Sequence, residues 1–166
     1  MTDIISILDE NFDVIKFKEE LTRHKDAKIL SLNYFSHKIL ERNSLSHELG
    51  DQYLTREDKF LIDDKSIDIS TNWYNQDLLK SFLMYQGVNL GSLIEVEIFQ
   101  YFLSIYRKAV STVRIIEKEN PKIIIASTNI NEFIKSICST KNIKIILLQN
   151  HKTDSMYFDT INVKYH

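Results

Sequence analysis

Apolar and polar positions along this chain fall into short blocks, and the clearest blocks lie in its last third. Lys122–Ala126 is almost wholly apolar, the pattern of a strand buried on both faces. Beyond it, Ile130, Phe133, Ile134, Ile137 and Cys138 recur at i, i+3, i+4, i+7 and i+8, the stripe of a helix lying on a sheet. Asn129, with Glu132 three places on, predicts the N-cap of that helix, and Asn142 its C-cap. Lys144–Leu148 is a second buried run. Strand, helix and strand at this spacing predict a right-handed βαβ unit with parallel strands. Ligands of such sheets bind beyond the C-terminal ends of the strands. The unit therefore names two candidate loops, one with Ser127, Thr128 and Asn129, the other with Gln149, Asn150 and His151.

Upstream, residues 3–8 form an apolar run too short to decide between an edge strand and the first turns of a helix. Asp13–His24 reads as a helix capped by Asp13, with Val14, Phe17 and Leu21 on one face. Ala27–Asn33 predicts a strand, and the pattern puts it at the centre of the sheet. A short helix comes next, through Ile39 and Leu40 to about Arg42, so Asn33, Ser36 and His37 fall just past a strand end. A purely local role is the alternative, with Ser36 capping the helix and His37 solvated. Ser44–Glu48 can form a short strand, and Gly50-Asp51 a turn. Thr55-Arg-Glu-Asp58 is a capping-box start for a helix that carries Phe60, Leu61, Ile62, Ile67, Ile69 and Trp73. Trp73 reads as packing rather than a stacking platform. Gln76–Tyr85 is a further helical run. Gln86, Gly87, Asn89 and Gly91 then mark a tight connection between helices, and Ser92 caps the next one.

Ser92–Glu119 is the longest predicted helix. Glu97, Gln100, Ser104, Lys108, Ser111 and Lys118 make its polar stripe; Ile98, Phe102, Ile105, Tyr106, Ala109, Val113 and Ile116 make its apolar face. Glu95 falls inside the apolar arc, about 160° from Glu97 at 100° per residue. A carboxylate there is costly unless paired or protonated. The helix must run antiparallel to the strand after it, so its N-terminus lies towards the binding edge. Glu95 is thus the candidate catalytic group, and a structural pairing of Glu95 the alternative. Thr160–Tyr165 alternates weakly and can form one more strand, and the stop at His166 without a closing helix leads us to expect that the natural protein continues.

Composition narrows the classes. The 166 residues are 43% hydrophobic, enough for one core, with a formal net charge of −2. That balance gives no electrostatic case for nucleic acid or an anionic membrane. Cys138 is the single cysteine and sits on a helix's apolar stripe, so it reads as a small buried hydrophobe. No apolar run reaches the ~18 residues of a membrane span. With three glycines and one proline there is no GxGxxG or GxxxxGK[ST] motif. The histidines and acids show no metal-ligand spacing such as HxxxH, so no metal is expected.

Three groups of residues carry a resemblance. The first is Lys28-Ile-Leu-Ser-Leu32 with its short helix, then Ser46-His47-Glu48, Asp51-Gln-Tyr-Leu54, Thr55-Arg-Glu-Asp58 and Asn72-Trp73-Tyr74. The second is Gly87-Val-Asn-Leu-Gly91 before a long helix with Glu95; the third is Asn120-Pro121-Lys-Ile-Ile-Ile125, a helix, and Ile143–Gln149. In these, residues 27–165 resemble the N-terminal domain of GT-B-type surface-polysaccharide glycosyltransferases, the group of capsule and CDP-glycerol transferases. That group often closes its last strand with Gln-His-Gly; Gln149 matches, while Asn150 and His151 depart from it.

The resemblance implies a Rossmann-like α/β domain, an open parallel sheet flanked by helices, over 27–166, with 1–26 as an N-terminal appendage. It implies the acceptor side of a two-domain cleft, with a nucleotide-sugar donor held mainly by a further C-terminal domain, and no turnover by this half alone. Glu95, or an Asp or His on an edge loop, would serve as base. Asn33, Ser36, His37, Gln86, Gly87, Asn89, Ser127, Thr128, Asn129 and Gln149 would contact a sugar or lipid-linked acceptor. The expected setting is cytoplasmic, at the inner face of the membrane. A non-catalytic Rossmann-like binding or assembly module, dimerising through the 92–119 helix, is the competing reading. A flavodoxin-like or epimerase half is disfavoured by the missing glycine-rich first loop.

Overall fold

The short run at the start of the chain is the strand on which the sheet is built. A computed structural model of the chain describes residues 3–148. In chain order they form β1 (Ile4–Leu8), α1 (Val14–Arg23), β2 (Lys28–Ser31), α2 (Tyr34–Arg42) and β3 (Glu48–Leu49). Then come α3 (Arg56–Asn72), α4 (Asp77–Leu83), β4 (Met84–Tyr85), β5 (Val88–Asn89), α5 (Glu95–Glu119), β6 (Ile123–Ser127), α6 (Asn131–Lys141) and β7 (Lys144–Leu148). The main sheet is parallel, with strand order β3-β2-β1-β6-β7. β1 is its middle strand, with Ile7 opposite Leu30 on one side and Ala126 on the other. Residues 1–26 therefore do not form an appendage: 4–8 are integral to the sheet, and the strand at 28–31 lies beside the centre, not at it. The fold is a Rossmann-like α/β domain, as the resemblance implied, and it contains the parallel βαβ unit that the pattern predicted.

Strand alternation sorts the core onto two faces. Ile5, Ile7, Leu30, Ile124 and Ala126 pack with Ile115, Ile116, Ile134 and Cys138 under α5 and α6. Leu8 and Ile125 pack with Phe12, Phe17 and Leu40 under α1 and α2. Each fully buried Ile, Leu or Phe contributes about 1.5–3 kcal/mol relative to exposure. The helices change face where the winding reverses, between β1 and β6, and that point is where doubly wound sheets open a crevice.

Local chemistry explains most boundaries. Asp13 Oδ1 accepts from the Ile15 and Lys16 amides and starts α1. Thr55 and Asp58 form a reciprocal capping box on α3. Asp58 also receives the Arg114 guanidinium on both carboxylate oxygens, at 2.7 and 3.0 Å, which joins α3 to α5. That guanidinium, with the Thr55 contacts, holds the Asp58 carboxyl down at about 2. Asn142 ends α6 in the left-handed region at φ 54°.

Several expected boundaries move. Asn129 does not cap α6: Thr128–Ile130 is a 3-10 turn, and α6 begins at Asn131 without a side-chain cap. The expected connection at 85–92 contains a two-stranded antiparallel hairpin, β4–β5, turned by Gln86 (φ 48°) and Gly87 (φ 82°). Two successive positive φ angles fit a tight hairpin turn and explain the glycine. Leu90–Ile94 is a 3-10 turn, so the long helix starts at Glu95 and Ser92 does not cap it; the Ser92 hydroxyl donates to the Asn89 carbonyl instead. β3 is only Glu48–Leu49, and the strand expected at 160–165 lies outside the described residues. The buried residues of α5 are Ser111, Thr112, Ile115 and Ile116, and Ile115 and Ile116 join the sheet's core cluster. Ser111, expected on the polar stripe, is buried, as are Ser66 and Ser70 of α3, and small side chains of this kind let the two helices pack closely.

Ser6, in the middle of β1, is fully buried, and its hydroxyl has no partner among the described residues. Ser6→Ala removes an unsatisfied buried group, so it should raise stability by about 1 kcal/mol and leave the fold intact. Thermal melting of the two proteins checks this, and a variant that melts lower overturns it.

Candidate functional site

A cleft of about 560 Å³ opens at the reversal point, above the C-terminal ends of β1 and β6. Asp9, Glu10 and Asn11, which follow β1, line it, with Asn129 after β6. α2 supplies Phe35 and Ile39, α6 supplies Phe133, and α5 supplies Tyr101, Ser104, Ile105 and Lys108. Its floor is therefore polar and its walls are largely aromatic and aliphatic, the usual make-up of a small-molecule site.

The polar floor is organised around two adjacent carboxylates. The Asp9 amide donates to Ser127 Oγ at 3.1 Å, which ties the end of β1 to the end of β6. Asp9 Oδ1 accepts from the Asn11 amide at 2.9 Å. Asp9 Oδ2 is buried and accepts no hydrogen bond from the described residues; the Lys108 ammonium stands 3.9 Å from it. Glu10, in contrast, is saturated. Lys108 Nζ donates to both of its oxygens, at 2.8 and 2.9 Å, and the Asn33 amide group donates to it as well.

These surroundings move the two acids apart. Burial, reinforced by the charge on Glu10, pushes the Asp9 carboxyl above its ordinary value, against the pull of Asn11, Ser127 and Lys108. Burial would raise Glu10 too, but the Lys108 ammonium outweighs it and holds that carboxyl below the usual range. Two neighbouring carboxyls shifted in opposite directions can divide acid–base work between them. Asp9 Oδ2 is thus a buried acceptor at the edge of the cleft whose nearest charged neighbour is Lys108. Lys108 carries the one ammonium among the described residues lining the cleft, and Glu10 engages it, so these residues offer no free cation for a phosphate.

The residues named from sequence scatter over the molecule. Asn129 lines the cleft; Asn33 and Ser127 hold its floor from behind. Ser36 is buried in a capping box with Asn33, the local role that was its alternative. Thr128 donates to the Leu148 carbonyl at 3.3 Å. His37 turns to a different cleft beside His47. Gln86 and Gly87 stand exposed at the hairpin tip and do not reach the cleft. Gln149, with Asn150 and His151, lies outside the described residues.

Glu95 is not among the residues lining the cleft. It is half-buried and accepts from the Tyr74 hydroxyl at 2.6 Å. Its carboxylate belongs to a clasp in which Asn89 donates to the Tyr74 carbonyl and accepts from the Gly91 amide. Only glycine fits at 91, because a Cβ there would stand 2.3 Å from that of Tyr74. The reason for the displacement is length. α5 crosses the sheet edge near Lys108 and runs on, which puts Glu95 roughly 20 Å further along at 1.5 Å per residue.

Sequence reasoning missed Asp9, Glu10, Asn11 and Lys108. The available signal was Asp-Glu-Asn directly after an apolar run, readable only once that run is taken as a strand. Among the described residues, no group of three or more His, Cys, Asp and Glu side chains is arranged to hold a metal ion. Comparison of the chain with protein-family models, curated proteins and solved structures finds no match.

Asp9 has a stability signature. Its carboxyl sits above its ordinary value of 3.8, so its contribution is full below that value and falls away as pH rises through the raised one. Asp9→Asn should therefore melt higher than the parent at pH 7, and the gap should close as the pH drops below about 4. Melting curves across pH check this; a variant less stable at pH 7 would falsify the assignment of a strained, ionised Asp9.

Proposed function

We propose that this chain is the acceptor-side domain of a glycosyltransferase of cell-surface polysaccharide synthesis, and that the cleft at the winding reversal holds a hydroxylated acceptor. The observation that carries the reading is the buried Asp9, at the end of the middle strand, with one carboxylate oxygen unpaired beside the cleft. The likeness of its motifs to GT-B-type transferases supports the same class.

In this reading an acceptor hydroxyl donates to Asp9 Oδ2 while Phe35, Tyr101 and Phe133 border the sugar ring. Asp9 takes the hydroxyl proton as general base. The freed oxygen bonds to the anomeric carbon of the donor, and the nucleotide leaves with the electron pair of the broken bond. A carboxyl raised towards working pH suits that task better than Glu10, which Lys108 keeps ionised. The nucleotide-sugar donor would sit on a second domain, and the cytoplasmic face of the membrane is where donor and acceptor would meet. Among the described residues no helix is long and apolar enough to cross a membrane.

The test is a titration of the ¹⁵N-labelled chain with a panel of methyl glycosides, followed by amide shifts. Saturable shifts should concentrate at Asp9, Glu10, Asn11, Ser104 and Asn129. Asp9→Asn should weaken binding about tenfold or more, the cost of losing a hydrogen bond to a charged group. Shifts absent for every glycoside, or gathered away from the cleft, reject the reading.

A second reading, an assembly module, is favoured by one observation. Leu93, Ile94 and Val96 at the start of α5, and Leu78 and Phe82 of α4, are exposed. They would pair two copies through the start of α5, the 3-10 turn before it and α4. Sedimentation equilibrium should then show a dimer that Leu93→Ser with Val96→Ser dissociates; a monomer at high concentration removes this reading.

A further inference from the structure

The charges around the cleft at the winding reversal do not balance. Among the described residues its lining carries Asp9, Glu10 and Lys108, two carboxylates against one ammonium. That ammonium is already engaged. Lys108 Nζ donates to both Glu10 oxygens, at 2.8 and 2.9 Å, and stands 3.9 Å from Asp9 Oδ2. Glu10 is held from the other side by the amide group of Asn33, the N-cap of α2. Asn11, Tyr101, Ser104 and Asn129 complete the polar lining with neutral groups.

Burial makes this imbalance matter. The Asp9 side chain is wholly buried, and those of Lys108 and Glu10 are only 14% and 26% exposed, so water and salt screen them weakly. A ligand carboxylate or phosphate placed here loses its hydration and meets one net negative charge, with no free ammonium among these residues to receive it. Burial and the charge on Glu10 already push the Asp9 carboxyl up, and a third anion would add to that push. A neutral sugar avoids both costs, because its hydroxyls donate to carboxylates and accept from the Asn11 and Asn129 side chains. One feature pulls the other way. α6 opens close after Asn129 without a side-chain cap, and such an end attracts anions with roughly half a unit charge, less than the whole charge the carboxylates retain.

We propose that Glu10, by holding Lys108, makes the cleft selective for neutral sugars over uronic acids and sugar phosphates. The sugar in this statement rests on the glycosyltransferase reading; the charge selection rests on the pairing. Glu10→Gln removes one carboxylate and releases the ammonium. Whether Lys108 then turns to Asp9 or to the ligand, the lining goes from one net negative charge to none, and the exclusion of anions should lapse. Glu10 and Lys108 are thus specificity-determining residues, distinct in role from Asp9.

The experiment is a titration of the ¹⁵N-labelled chain at pH 7 with matched pairs, methyl glucoside against methyl glucuronide and methyl galactoside against methyl galacturonide. The neutral member of a pair should bind about tenfold tighter or more, the scale of one unscreened charge at a few ångströms. Glu10→Gln should bring the uronide to within about threefold of its neutral partner, a gain of binding that mere loss of structure does not produce. Lys108→Met should widen the gap, and it carries the test should Glu10→Gln fail to fold. Equal binding of both members by the parent, or a gap that neither variant moves, overturns the charge selection and leaves the acceptor reading standing. Binding of no glycoside at all overturns both.

Discussion

The structure depends on the burial of one five-residue strand. β1 is hydrogen-bonded on both edges, to β2 and to β6, and both of its faces are covered. Every other strand of the parallel sheet is placed by reference to it. The chain winds outward from β1 through β2 to β3, then returns along α5 to the opposite side and winds outward again through β6 and β7. Right-handed crossovers in opposite directions put their helices on opposite faces. The gap between the first loops of the two halves is a geometric consequence, and the residues just after β1 and β6 must line it. Asp9 is buried because the strand that precedes it is buried.

α5 does two jobs along one axis. Its C-terminal half packs on the sheet through Ile115 and Ile116, and Glu119 at its end meets Lys28 and Tyr53. Its N-terminal half leaves the sheet edge and carries the excursion of α4 and the β4–β5 hairpin. Lys108 stands where one regime gives way to the other, which is why it can reach Glu10 and Asp9. Beyond it Ile98, Phe99, Phe102 and Leu103 are only half-buried, and Val96 is exposed. Tyr74, Asn89, Gly91 and Glu95 then pack the excursion against itself.

How much of this was legible depends on what each signal measures. The β6–α6–β7 unit was readable because two apolar runs and a 3.6-period stripe agree with one another. The caps at Asp13, Thr55 and Asn142 were readable because short polar side chains act on backbone amides within a few residues. Residues 4–8 were not, since five apolar residues fit a strand or a helix equally, and the choice rests on partners far away in sequence. That one ambiguity hid Asp9, Glu10 and Asn11. The face of α5 was misjudged for a related reason: hydropathy weighs Ser111 and Thr112 as polar, whereas packing selects them for size. Glu95 was placed correctly on the helix but not in the molecule, because periodicity fixes an angle and says nothing of where the sheet ends.

Two buried oxygens without partners among the described residues show how an unsatisfied group becomes informative. Ser6 Oγ and Asp9 Oδ2 belong to one strand and the residue just past it. Ser6 is enclosed between strands and helices, so no ligand can reach it and its cost is simply carried. Asp9 borders an opening, beside a lysine whose charge is already committed to Glu10. If Lys108 were paired with Asp9 instead, the cleft would hold a satisfied ion pair and little to recognise a hydroxyl. The Lys108 ammonium hydrogen-bonds Glu10 and only approaches Asp9 to 3.9 Å, so the two carboxyls are held unequally. What sets the two carboxyls apart is thus how the pairing is divided between two neighbouring acids, not the number of polar groups in the cleft.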